Sequence, residues 1–117
     1  MRQTGPVTIY AKLKCQAVRW VNDEPIPGWI EVVMTDSEGR EWRFFDKSVM
    51  FGSSNEPITS KTLFPVETGV IVAIIENGDP VTVSTAPAGI ESEEGETLFR
   101  VSPGLLDHHN GDPVSQP

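Results

Sequence analysis

Six consecutive apolar residues, Val70 to Ile75, stand between Gly69 and Glu76, and five of the six are β-branched. Such a run favours a pleated backbone, is too short for a helix of ordinary length and is far too short to span a bilayer. It reads as a central core strand buried on both faces, which the rest of the chain must cover.

The remainder is cut into short pieces. Ten Gly and ten Pro are spread through 117 residues, which leaves little room for long helices and gives about one ordinary domain. Val7 to Ala17 alternates, with Val7, Ile9, Ala11, Leu13, Cys15 and Ala17 on one face and Thr8, Tyr10, Lys12, Lys14 and Gln16 on the other. The alternation breaks at Val18 to Val21, where a shift of face predicts a bulge or bend before the proline-bearing loop Asn22 to Gly28.

Asp36-Ser37-Glu38-Gly39 sits between two strand-like runs, with Gly39 where a bulged three-residue hairpin needs a left-handed residue. This register pairs Asp36 with Arg40, sets Met34 opposite Trp42 and Val32 opposite Phe44, and places Trp42 inward. The other side then carries Glu31 and Arg43 as diagonal neighbours, expected to pair modestly on the surface. Val49 to Phe51 is expected to continue the strand past a kink.

Residues 56–64 allow at most one short helical turn, because Thr59, Thr62 and Pro65 oppose a longer helix. A second hairpin is expected around Asn77-Gly78-Asp79-Pro80, with Val72 and Ile74 beside Val81 and Val83. Thr97 to Val101 forms a last strand. The resulting expectation is an all-β, single-domain β-barrel or sandwich of about six or seven mainly antiparallel strands over residues 1–101, followed by a flexible tail over 102–117.

The net charge of −8 divides unevenly, with +4 in residues 1–22 and −12 in residues 23–117. Most of this surface would repel nucleic acid, since phosphate contacts supply most non-specific affinity, and no segment suits a membrane. A basic partner protein would be attracted, while the plainer meaning of an acidic balance is solubility. No apolar stretch follows the N-terminal Met1 to Pro6, so no export signal is read there and a cytoplasmic location is expected. The lone Cys15 has no internal disulfide partner and falls on the apolar face, where it reads as a small buried side chain.

Chemistry has little foothold. Both histidines, His108 and His109, lie in the expected tail, and adjacent residues lack the spacing that aims two rings at one metal ion. Phosphate-binding glycine loops, paired-cysteine zinc spacings and the calcium-loop pattern are absent from the sequence, so no cofactor and no metal is expected. Glu91, Glu93, Glu94 and Glu96 cluster around Gly95; they read as a solvated loop, as a dock for a basic partner, or as neutralising Lys12 and Lys14. Trp20 and Trp29 flank a loop holding Asp23 and Glu24, the combination of aromatic area and carboxylates that recognition of a basic peptide needs. The alternative is that both indoles close the barrel end.

The leading functional expectation is a non-enzymatic, acidic protein-interaction module that binds, and in one form inhibits, a basic partner. Its candidate contacts are Trp20, Asp23, Glu24, Trp29, Glu91, Glu93, Glu94 and Glu96. A small-molecule-binding barrel with a cavity lined by Val32, Phe44 and Val72 is the second reading, and a carboxylate-based enzyme the third.

Overall fold

The computed structural model describes residues 8–24, 28–51 and 58–108. Its strands are β1 (Ile9–Asn22), β2 (Trp29–Thr35), β3 (Glu41–Lys47), β4 (Val66–Glu76), β5 (Val81–Ser84), β6 (Leu98–Val101) and β7 (Leu106–His108). They form one antiparallel sheet in the order β3-β2-β1-β4-β5-β6, with β7 also paired to β1. The sheet curls strongly into a half-barrel, so the chain is all-β and curled rather than two stacked sheets.

The hydrophobic alternation explains the core. Ala11, Leu13, Cys15 and Ala17 of β1 face inward with Ile30, Val32 and Met34 of β2, Phe44 of β3, Val70 and Val72 of β4, Val81 and Val83 of β5, and Phe99 and Val101 of β6. The expected break in β1 is present as two register shifts, between Ala17 and Arg19 and between Trp20 and Asn22. Each skips one residue against β2 and adds local twist, which helps the long strand bend around the core.

The β2–β3 hairpin has the bulged register, with Met34 opposite Trp42 and Val32 opposite Phe44. Gly39 has φ +87°, and Asp36 organises the turn by accepting from the backbone N–H of Glu38 at 2.9 Å and of Arg40 at 3.0 Å through Oδ1. Its Oδ2 accepts from Trp42 Nε1 at 2.9 Å. Phe99 meets Trp42 and Phe44 edge-on, at centroid distances of 5.1 and 5.6 Å, so one aromatic side chain of β6 locks to the hairpin across the half-barrel.

Four expectations are corrected. The run Val70 to Ile75 is not buried on both faces throughout: on its outer face Ala73 is 4% exposed but Ile71 is 36% and Ile75 57%, and among the described residues no second sheet covers this side. In the second hairpin, Ile74 lies opposite Val83 as expected, but a bulge before Glu76 leaves Ile75 outside the ladder. Ser48–Met50 is a 3-10 turn rather than a continuing strand. The chain after Ser102 is not tail from its start, since Pro103–Leu105 forms a 3-10 turn and β7 then pairs with Ala11 to Leu13 of β1. Of the ambiguous stretch 56–64, residues 58–64 hold a turn closed by Thr62 N–H to Thr59 O at 3.0 Å, and 52–57 lie outside the described residues.

Candidate functional site

Both tryptophans stand at one end of the β1–β2 ladder but on opposite faces of the sheet, since Trp20 pairs with the inward Ile30 and Trp29 is the next residue of β2, opposite Asn22. The Trp20 ring lies directly over Gly28: a Cβ there would stand 2.1 Å from Trp20 Cζ2, and Gly28 has φ +126°. The position therefore requires glycine on two counts. Trp20 Nε1 donates to Asp23 Oδ1 at 2.7 Å, so one of the two candidate acids holds an indole in place. Glu24 is exposed, and Trp29 is half-buried with a buried Nε1 that meets no acceptor among the described residues. Pro25, Ile26 and Pro27 lie outside the described residues.

The acidic loop is a built structure. Ser92 is its hub: its Oγ accepts from the N–H of Glu94 at 3.2 Å and of Glu96 at 3.0 Å, and its own N–H donates to Glu96 O at 2.9 Å. Glu96 Oε2 accepts from Leu98 N–H, while Glu94 pairs with Arg40. The loop docks on β3 through a Phe44–Ser92 bridge and a Glu93 N–H to Arg43 O bond of 2.9 Å. Together with Ser37 N–H to Arg100 O at 2.8 Å, these contacts span the open side of the half-barrel. The loop thus stands beside Arg40 and Arg43 instead of Lys12 and Lys14. Arg40 belongs to the turn of the β2–β3 hairpin and Trp29 pairs with Lys47 at the other end, so the two candidate clusters do not form one surface.

Glu31 is a larger surprise. Instead of a surface pair with Arg43 alone, its side chain is 7% exposed and its carboxylate is gripped by Arg19 at 2.5 Å and by Arg43. The register shift after Ala17 sets Arg19 opposite Glu31. Both carboxylate oxygens are consumed in this clamp, which makes Glu31 a structural group. Arg40 meanwhile stacks 3.7 Å over the Trp42 ring.

Two surface features were not read from the sequence. The first is the outer face of β1, β4, β5 and β6, where the register aligns Tyr10, Ala73, Ser84 and Leu98 in one row, with Ile71 and Ile75 two residues either side of Ala73. Tyr10 is 45% and Leu98 52% exposed. Lys12 lies flat on this face with its methylenes over Gly69, where any Cβ would meet Lys12 Cγ at 2.6 Å.

The second is a rift. One edge of β1 is covered by β7 only at Ala11 to Leu13 and by β2 only from Gln16 onward, so the ladder is interrupted at Lys14 and Cys15. A cleft of about 350 Å³ opens there. Cys15 at its floor is 4% exposed, and burial pushes its thiol up to about 12, so it is protonated and unreactive at neutral pH. Glu41 and Glu67 both border the cleft and both are exposed, so their surroundings do not differ as a general acid and base require. Val32, Phe44 and Val72, expected around a central cavity, are packed in the core at 0–1% exposure.

Among the described residues no group of three or more His, Cys, Asp or Glu side chains is placed to hold a metal ion, and no helix is long and apolar enough to cross a membrane. Comparison with protein-family models, curated proteins and solved structures yields no match. The functional reading rests on the chain's own geometry.

Proposed function

We propose that the chain is a non-enzymatic protein-interaction module that docks another protein on the outer face of β1, β4, β5 and β6. The observation that carries this reading is the set Tyr10, Ile71, Ile75 and Leu98, each 36–57% exposed, which stands on one outer face of the sheet around the buried Ala73 and Ser84. Single exposed hydrophobic residues are ordinary; several gathered on one face of a sheet are what an interface core requires. Lys12 and Arg100 stand on the same face, neither ion-paired among the described residues. The complementary surface is therefore apolar at its centre with carboxylates at its rim. This differs locally from the basic partner that the net charge of −8 favours, for which Glu24, Glu91 and Glu93 are the exposed candidate acids whose carboxylates have no partner among the described residues. A cytoplasmic setting accords with Cys15 as a free, buried thiol.

The test compares four forms of the protein as bait in lysate of the source cell, with bound proteins quantified. The form Tyr10→Ser/Ile75→Ser/Leu98→Ser should lose a partner that the wild type and Asp23→Lys/Glu24→Lys both retain, and Lys12→Glu/Arg100→Glu should weaken it further at low salt than at high salt. Retention by the triple-serine form overturns the assignment. Loss confined to Asp23→Lys/Glu24→Lys moves the interface to the Trp20–Trp29 end.

A further inference from the structure

The rift opens on the same outer side of β1 and β4 as the docking residues, two positions along β1 from Lys12, and has its own chemistry. Side-chain alternation puts Lys14 and Gln16 of β1, Thr35 of β2, Glu41 of β3 and Glu67 of β4 on the outer surface around its mouth, while Cys15 and Met34 face the core and form its floor. Leu105, in the 3-10 turn that leads into β7, closes one side. The rift exists because β2 leaves β1 at Val33 and β7 meets it only at Leu13, so two strands share one edge without touching end to end.

Three charges converge on this small volume: one ammonium, Lys14, and two carboxylates, Glu41 and Glu67. Their existing partners are weak ones. Lys14 stands 4.0 Å from Asp107 and Glu41 stands 3.7 Å from Arg43, both between solvent-exposed side chains, where a pair contributes little and is readily exchanged. The exact complement of the rim is a molecule with one carboxylate and two cationic groups. Gln16 and Thr35 add an amide and a hydroxyl that donate or accept, and the half-buried Val33 and Leu105 present apolar surface to a methylene chain. The volume of about 350 Å³ lies near the lower end for small-molecule sites.

We infer that the rift binds a free α-amino acid with a cationic side chain, its carboxylate at Lys14 and its two cationic groups at Glu41 and Glu67. The juxtaposition that carries the inference is an interrupted β1 edge ringed by one base and two acids over an apolar floor.

Nitrogen-15 chemical shifts of the whole chain, titrated separately with L-arginine, L-lysine, L-norleucine and L-glutamate, test it. Arginine and lysine should give saturable shifts centred on residues 14–16, 33–35, 41, 67 and 105. Norleucine, which lacks the side-chain cation, and glutamate should bind at least about tenfold more weakly. Glu67→Gln and Lys14→Gln should each weaken arginine about tenfold while keeping a dispersed spectrum, and Thr35→Arg should abolish binding by filling the mouth with its own guanidinium. The inference is overturned by an absence of saturable shifts with arginine and lysine, by equal affinity for glutamate, by shifts centred elsewhere, or by unchanged affinity in the Glu67 and Lys14 variants. The triple-serine form of the docking face should bind arginine as the wild type does, so failure of one reading leaves the other measurable.

Discussion

The clamp on Glu31 predicts a specific non-additivity. Arg19→Ala removes one of two guanidinium partners, and Arg43 still satisfies the carboxylate; Arg43→Ala is the mirror case. The arginine side chains are 58% and 43% exposed, so solvent screens each contact and each single variant should lose only about 0.5–1 kcal/mol. With both removed, a carboxylate only 7% exposed is left desolvated with no partner. Breaking a buried pair by removing its partner costs about 3–5 kcal/mol, and the exposed arginines place this case at the low end, near 3 kcal/mol. The double variant should therefore exceed the sum of the singles by about 1–2 kcal/mol. Urea unfolding at neutral pH measures all three, with the dependence on urea unchanged if the same surface is exposed in each. Adding Glu31→Leu to the double variant should recover most of the loss, since the buried site then holds no charge. Additive singles, with a double loss under about 1 kcal/mol, would show that water already reaches Glu31 and that the clamp stabilises nothing.

At the hairpin, Gly39→Val should cost about 1–2 kcal/mol because φ is +87° there although no atom lies within 4 Å of the added Cβ, whereas Ser37→Ala should be near neutral; equal stabilities in thermal melts would refute the bulged turn. Burial alone would raise the Asp36 carboxyl, but donation from Trp42, Arg40 and Glu38 and the charge of Arg40 outweigh it and hold the group below the usual aspartate value. Its contribution to stability is then complete above about pH 3.9 and is lost as pH falls from there through the lower folded value, so Asp36→Asn should flatten this part of the acid limb of a melting-temperature profile. Cys15, with its thiol pushed up to about 12, should react with iodoacetamide only as fast as the chain unfolds, and prompt labelling of the native protein would contradict its burial. Gly28→Ala should displace the Trp20 indole from Asp23, red-shift tryptophan emission and cost about 1–3 kcal/mol; an unchanged spectrum would refute the packing of ring on backbone.

Local features were legible where local chemistry decides them. Asp36 and Gly39 specify the β2–β3 turn by a side-chain acceptor and a left-handed backbone, and the turn in turn sets Met34 against Trp42 and Val32 against Phe44. The strict alternation from Ala11 to Ala17 fixes which side of β1 is core, and its failure at Val18 marks the bulges. An all-β chain follows from short apolar runs separated by Gly and Pro, with no local pattern long enough for a helix.

What the sequence left open depends on distant partners. The run Val70 to Ile75 has the same residues whether or not a layer lies outside it, so only the exposure of Ile71 and Ile75 in the half-barrel shows that they face solvent. A three-residue strand such as β7 has too little pattern of its own; it is recruited by the free edge of β1. Arg19 and Glu31 meet because the bulge after Ala17 shifts the ladder, and Glu94 meets Arg40 because the curled sheet brings a loop after β5 against the hairpin of β3. The apolar row from Tyr10 to Leu98 and the charges around the rift are likewise products of strand order. Residue identity alone sets which side chains alternate and where the chain turns, while the closing of a sheet on itself decides which of those side chains meet, because that register is settled between residues far apart in the chain.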